Sequence, residues 1–489
     1  MAISHVFAEG VGPFKSVHLD LRGRDGKPSL GPHILAGVNG SGKSTLLKAV
    51  AWCLAGQDDA FPMDEWVHFL RDPQSRVLLT FDVPGLGKYA LATARDRAEG
   101  WEERLGKWVA EKIVSAGFSN GDFPLIGNLQ RAFSSESDRA NKTPTLFLSG
   151  KRRRRHHRFG TASFGLVQTE EGEATHNAAA YSSARTIRYI PQPDMAVARE
   201  KVHPKRFGFD LTVQNEAIQS WLLGLYSKRA IANERHQPSS RYTASFEALE
   251  RGLRCVCGDE VSVVVDIEPN FQPRLRIGSQ TLNFSQIPDG VKVTLGWLAD
   301  FLMRADGCGW APEVANLKPG LLLFDEIEGF LHPLWQRRLL PAIREALPTT
   351  QSIVTSHSPF VISSCPGSTI HVLKLNSDGT AYAEPPIPAP IGESITSTLK
   401  DIFGVESRFD VDTEKQLAEW NELKKISVQQ KLSATEEARF RRLSEVLASR
   451  SEELRSLVTT VPELPQATVD SLTQMSETRR SKKSSLVSR

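Results

Sequence analysis

The stretch Gly37-Val38-Asn39-Gly40-Ser41-Gly42-Lys43-Ser44 constrains this chain more than any other. It has the spacing G-x-x-x-x-G-K-[ST], in which glycines let the backbone wrap a triphosphate. Successive N–H groups and a helix N-terminus then point at the anion. The apolar run His33-Ile34-Leu35-Ala36 ahead of it reads as a strand, and Thr45-Leu46-Leu47-Lys48-Ala49-Val50 as the first turns of a helix. Strand, loop, helix is the context the motif needs. An ordinary Gly-rich turn explains the glycines but not the Lys-Ser that follows them. Gly37, Asn39, Gly40, Ser41, Gly42 and Thr45 are the expected cradle, Lys43 reaches the β- and γ-phosphates, and Ser44 is a ligand for Mg²⁺.

A P-loop needs acids to hold its metal and activate water, and the second half of the chain supplies them. Leu321-Leu322-Leu323-Phe324-Asp325-Glu326 is an unalternating apolar run ending in two carboxylates, the pattern of a parallel strand buried on both faces. Asp325 is the expected second metal ligand and Glu326 the general base. Acid pairs at strand ends are common, but a run continuing Ile327-Glu328-Gly329-Phe330-Leu331-His332-Pro333 is rarely a mere surface loop. About thirty residues on, Thr355-Ser356-His357-Ser358-Pro359 places His357 at the end of another core strand. There it could meet the γ-phosphate or the attacking water. A lone histidine near a strand end is otherwise a satisfied polar residue.

These stretches together resemble the ABC-type ATPase heads of the RecF/SMC/OLD group, as does the Gly12-Pro13-Phe14 turn ahead of the P-loop. The resemblance covers two lobes, about half of the chain, and implies an α/β P-loop NTPase with a two-lobed head. It also implies a mechanism: two heads sandwich two ATP molecules, each held by the P-loop of one copy and a signature loop of the other. The matching position is Phe284-Ser285-Gln286-Ile287-Pro288-Asp289-Gly290, so Asp289 and Gly290 are the expected trans contacts. Pro288 stands where the family carries serine, which weakens that contact or shifts it to Ser285. Gln74 and Gln130 both remain open as a Q-loop glutamine.

Ile402-Phe403-Gly404-Val405-Glu406-Ser407-Arg408 and the charged helical segment after it resemble compact prokaryotic anti-phage ATPases of Septu (PtuA-like) and retron-associated type. That resemblance implies a separate nuclease subunit, of HNH type, beside a homodimer or higher homo-oligomer. A RecF-like DNA-repair ATPase shares the motifs and is the alternative. A nucleotide-gated scaffold with little turnover is another, kept open by Pro288. An OLD-type nuclease domain would need a Gly-rich acidic cluster after His357. A transporter subunit would need a full signature loop.

The remaining chain divides by pattern. Residues 1–110 are the P-loop lobe, with paired strands near 4–8 and 16–21 and a hairpin over 76–93. Residues 111–250 are a largely helical insertion, and 251–390 the lobe with the signature-like loop, acid strand and histidine. Residues 391–478 are a helical hairpin, read as packed on the ATPase body, with Leu417, Trp420 and Leu423 on one face and Phe440, Leu443 and Leu447 on the other helix. Residues 479–489 are a basic tail, read as disordered because its run Arg479 to Ser485 has no core-forming residues.

The insertion carries Lys151, Arg152, Arg153, Arg154, Arg155 and Arg158, the densest positive charge in a chain of net charge only +3. That run can bind DNA or RNA phosphates, or the acidic face of a partner protein. Five scattered cysteines form no zinc pattern. No stretch of about 18 apolar residues marks a membrane span, and the N-terminus does not read as a signal peptide. The expected location is cytoplasmic.

Overall fold

The structure, a computed structural model, describes residues 2–55, 70, 72, 74–83, 87–95, 100–118, 145–149, 177–181, 187–188, 213–258, 260–266, 271–307, 320–405 and 409–459. In chain order the N-terminal half contains β1 (Ala2–Val11), β2 (Phe14–Asp20), β3 (His33–Gly37), α1 (Lys43–Ala55), β4 (Arg76–Val83), β5 (Gly87–Ala94), α2 (Trp101–Ser115), β6 (Thr145–Ser149), β7 (Asn177–Tyr181), β8 (Ile187–Arg188) and β9 (Val213–Gln214). Then come α3 (Asn215–Glu234), α4 (Ser240–Cys257), β10 (Val261–Asp266), β11 (Gln272–Ile277), β12 (Gln280–Leu282), α5 (Asp289–Gly307), β13 (Gly320–Phe324), α6 (Pro333–Ala346), β14 (Thr350–Ser356), α7 (Pro359–Ile362), β15 (Thr369–Leu375), β16 (Ala381–Ala383), β17 (Ile387–Pro388) and α8 (Ile395–Phe403). Three helices close the described chain: α9 (Val411–Gln429), α10 (Ala434–Arg450) and α11 (Glu452–Thr459).

A seven-stranded sheet of order β16-β15-β3-β14-β13-β7, with β17 on β15, carries the motifs. Strands β15, β3, β14, β13 and β7 run parallel. Their side chains alternate between two cores, so both faces must be apolar. Ile34, Leu322, Phe324, Val354 and Val372 enter a core shared with α3 to α6 and α8. Leu35, Leu321, Leu323, Ile353 and Leu373 enter a second core.

That second core holds α1, pressed between the parallel sheet and an antiparallel one of order β2-β1-β4-β5-β6. Leu46, Leu47, Val50, Ala51, Trp52 and Leu54 are all buried. Being apolar on nearly every face is what a helix between two sheets requires. On the far side of the antiparallel sheet, Leu105, Trp108, Val109 and Ile113 of α2 cover Phe7, Leu78 and Ala92.

Residues 1–404 form one compact unit and 405–489 a second. The division at about 390 therefore moves to Gly404, because α8 places Ile402 in the core beside the parallel sheet. Nor does the segment 111–250 stand apart. Its β6 extends the antiparallel sheet beside β5, and its β7 extends the parallel sheet beside β13. In the second unit, Asp410 caps α9, and Ser433 with Glu436 forms the capping box of α10. Trp420, Leu423, Leu443 and Leu447 pack together as their spacing predicts, and Leu454 of α11, a helix absent from the sequence reading, joins them. The tail 479–489 lies outside the described residues, as do Cys308 and the run 151–158.

Two histidine pairs lie in the first unit, with His5, His33 and His371 buried and His18 exposed on β2. His33 Nδ1 lies 3.2 Å from His371 Nε2, and His33 Nε2 lies 3.3 Å from the Ser29 carbonyl. A carbonyl can only accept, so Nε2 of His33 carries its hydrogen, Nδ1 accepts, and His371 donates. His5 and His18 pair at 3.0 Å. Burial lowers His5 and His33 to about 4 and His371 to about 3, with the Asp20 charge opposing in each case. Burial also lowers His18. His5, His33 and His371 stay neutral in the folded protein but protonate below about 6.5 once unfolded, so stability is full above pH 6.5 and declines as pH falls toward 4. Each of these three contributes a loss of about 1.4 kcal/mol per pH unit. The thermal midpoint is expected to drop by several degrees between pH 7 and pH 5. A calorimetric profile flat over that range would show that these histidines are not the groups that set acid stability.

Candidate functional site

The ladder order brings three chemistry-bearing strand ends side by side. β14 lies between β3 and β13, with Ser356 opposite Ala36 and Val354 opposite Phe324. The P-loop after β3, the His357 turn after β14 and the Asp325-Glu326 turn after β13 therefore leave the sheet at one end. In open parallel sheets that end is where ligands bind.

The P-loop conformation depends on its glycines. Gly37, Gly40 and Gly42 have φ of 150°, 80° and 88°, a region that penalises a Cβ. A Cβ on Gly37 would stand 2.3 Å from the Leu373 carbonyl oxygen. One on Gly42 would stand 2.4 Å from the Phe14 ring and 2.7 Å from Pro13. The Gly-Pro-Phe turn between β1 and β2 is thus a brace against the loop. Val38, Asn39 and Gly40 form an exposed crest, and nothing lies within 4 Å of a Cβ on Gly40. That leaves room for a ligand against the backbone.

Two observations fit this cradle to a polyphosphate. The Ser41 hydroxyl is buried with no partner, a costly condition that a ligand oxygen would relieve. Lys43 is buried, and its Nζ donates to the carbonyls of Gly37 at 2.9 Å and Val38 at 3.0 Å. Burial lowers it to about 8, while the charges of Asp325, Glu326 and Glu328 pull the other way. An anion beside it would repay that desolvation. Ser44 and Thr45, half-buried, begin α1.

On the neighbouring strands, Asp325 is buried and accepts from the Thr355 hydroxyl at 2.7 Å. Glu326 is exposed and has φ of 45°, and its N–H donates to the same hydroxyl at 2.7 Å. The His357 N–H donates to Glu328 Oε1 at 2.6 Å. Burial raises Glu328, and the Glu326 charge adds to this, while the His357 N–H opposes it. Burial and then the Lys43 charge lower His357, so its ring is neutral near pH 7. Thr355 and Glu328 had no role in the sequence reading. The available signal was weak: a threonine two residues before the histidine, and a third acid three residues after the first.

Among the described residues no three His, Cys, Asp or Glu side chains converge on a metal position. Mg²⁺ takes few protein oxygens and completes its shell with phosphates and water. Ser44 and Asp325 supply hard oxygen donors of that kind.

Asp289 and Gly290 open α5, and among the described residues neither hydrogen-bonds to the P-loop of its own chain. The Asp289 carboxylate is exposed and pairs with Lys292 at 3.2 Å. Gly290 is required by packing, since its Cβ would stand 2.5 Å from the Trp335 ring. Ser285 and Pro288 are exposed beside them. Gln74 is exposed, its N–H bonded to Asp72, and Gln130 lies outside the described residues.

Comparison with known proteins adds three findings. Residues 6–77 match a family model described as an AAA domain, and residues 271–363 match a second AAA-domain model whose description names AbiEii toxin and a Type IV TA system. The chain is 31% identical over 123 residues to the Septu protein PtuA of Bacillus thuringiensis, covering 23% of this chain and 31% of that protein. It is 30% identical over 162 residues to the "Retron Ec83 probable ATPase" of Escherichia coli, covering 32% and 28%. The matches thus span less than a third of the length of these two relatives. A match of 19% identity to the "Retron Vc95 probable ATPase" of Vibrio cholerae covers 75% of this chain and 73% of that one. Among solved structures, the SMC head domain from Thermotoga maritima aligns over 79% of this chain and 99% of its own, with 12% identity and a TM-score of 0.38. The two family-model segments contain the P-loop, the acid strand and the histidine turn.

Proposed function

We propose that this chain, whose fold is that of an ABC-type P-loop ATPase head, binds ATP with Mg²⁺, hydrolyses it as a dimer and thereby gates a separate nuclease subunit in antiviral defence. The observation that carries the reading is the adjacency of β3, β14 and β13. It puts the buried Lys43, the neutral His357 and the Asp325-Glu326 pair at one end of one sheet. Relatives named for Septu and retron systems support the defence assignment.

In this reading the loop residues Gly37, Asn39, Gly40, Ser41 and Gly42 present their backbone to the phosphates, Thr45 lines the cradle, and Lys43 neutralises the β- and γ-oxygens. Ser44 and Asp325 hold Mg²⁺, which offsets the negative charge on the phosphates. Glu326 takes the proton from water as its oxygen bonds to the γ-phosphorus and the bond to ADP breaks. His357 orients that water or the γ-phosphate with a neutral ring. Asp289 and Gly290 of a second copy close the site, and the N-terminus of the 19-residue α5 faces the γ-phosphate. Purified protein should therefore hydrolyse ATP only with Mg²⁺ and should dimerise on adding ATP, seen by light scattering. A monomer under all nucleotide conditions would remove the trans site.

The basic run 151–158 is the proposed nucleic-acid contact. Changing Arg152, Arg153, Arg154 and Arg155 to Ala should weaken DNA or RNA binding. The slope of log affinity against log salt should flatten by up to about 3–4. Unchanged affinity at low salt would assign the run to a protein partner. An HNH-type nuclease that co-purifies with the chain, and whose cutting depends on ATP, would support the gating step. A DNA-stimulated ATPase with no nuclease partner would favour a RecF-like role.

A further inference from the structure

Hydrogen bonds cross in both directions between the acid turn and the histidine turn, just past the last paired residues of β13 and β14, Phe324 and Val354. From β14, the buried Thr355 hydroxyl donates to Asp325 Oδ1 and accepts from the Glu326 N–H, both at 2.7 Å. From the acid turn, Glu328 Oε1 accepts the His357 N–H at 2.6 Å. The Ile327 N–H adds a bond to the Thr355 carbonyl at 3.1 Å.

The side-chain bonds lie just past the end of the β13–β14 pairing, while β14 still pairs with β3 at Thr355 and Ser356. They act on Asp325, Glu326 and the His357 turn directly. Glu326 has φ of 45°, a conformation that a non-glycine residue keeps only where its surroundings over-determine it. A hydroxyl has one donor and two acceptor positions. Thr355 uses the donor on a carboxylate and an acceptor on the next residue's amide, so one atom fixes the angle between Asp325 and Glu326.

We propose that Thr355 and Glu328 are positioning residues for ATP hydrolysis: Thr355 sets Asp325 and Glu326 relative to each other, and Glu328 locks the His357 turn to them. This rests on the reading that Glu326 and His357 face the reacting phosphate. Neither residue touches the phosphate. They act by holding the general base and the histidine in one geometry, and a misplacement of about 1 Å in such groups costs on the order of 100-fold in rate.

Four full-length variants test it. Thr355→Val removes the hydroxyl and keeps the shape, while Thr355→Ser keeps the hydroxyl. Glu328→Ala removes the acceptor, while Glu328→Gln retains an amide oxygen for the His357 N–H. For each, steady-state kcat, the Kd for ATP by titration and the thermal midpoint are measured. Thr355→Val and Glu328→Ala should lower kcat roughly 10- to 100-fold with Kd changed by less than about threefold. The Ser and Gln variants should recover most of the rate. A Thr355→Val protein turning over like the unsubstituted one, or a Ser variant as slow as Val, overturns the proposal. So does a Kd that weakens in step with kcat, since that marks general damage to the pocket. If the unsubstituted protein itself does not hydrolyse ATP, the proposed function fails first, and that is read without any variant.

Discussion

Glu326→Gln is expected to stop ATP hydrolysis while leaving ATP bound. Gln keeps the size and the backbone N–H that donates to Thr355, but it has no carboxylate to accept a proton from water. General-base catalysis contributes typically 10²- to 10⁴-fold, so turnover should fall by at least about 100-fold. Kd for ATP should stay within about threefold. Because hydrolysis is what releases the second copy in this reading, the variant should accumulate as an ATP-bound dimer in light scattering. A hydrolysis rate equal to that of the unsubstituted protein would remove Glu326 from the base role.

Lys43→Ala should act at the earlier step. Lys43 is the buried cation at the loop, held by the Gly37 and Val38 carbonyls. Losing one partner of a buried, hydrogen-bonded charge pair costs about 2–5 kcal/mol. That is roughly 30- to 5,000-fold in affinity, so titration with labelled ATP should show little or no saturable binding. The thermal midpoint separates loss of the contact from loss of the loop, since Ala also forfeits two bonds to the carbonyls. A Kd within threefold of the unsubstituted protein would place the phosphates elsewhere.

Much of the site is legible in the chain because its parts are local. G-x-x-x-x-G-K-S lies within eight consecutive residues, and its glycines have the positive φ that the motif demands. The run Leu321 to Phe324 reads as a strand with two buried faces, and its side chains do alternate between two cores. Ser433 and Glu436 declare a helix start in four residues.

The less legible features depend on distant partners. Asn177-Ala178-Ala179-Ala180-Tyr181 has little strand propensity, yet it pairs with β13 over its whole length; tertiary context overrides the local preference. Gly290 reads in sequence as a trans contact, whereas in the fold Trp335, 45 residues on, occupies the space a Cβ there would need. Gly12, Pro13 and Phe14 carry a family resemblance, but their work as a brace against Gly42 appears only when β1 and β2 lie over the P-loop.

The sequence by itself pointed to the class of chemistry proposed, because phosphate cradling, metal ligation and proton abstraction each need particular residue types at short, fixed spacings. The tertiary structure alone decided how those parts meet. Asp325 and Thr355 are 30 residues apart, and their hydrogen bond exists because β13 pairs with β14 in one register. A shift of one residue would turn every side chain to the opposite core. Close packing in both cores resists that shift, because the side chains facing the two sides differ in shape, and so it holds Glu326, His357 and the P-loop at a common edge.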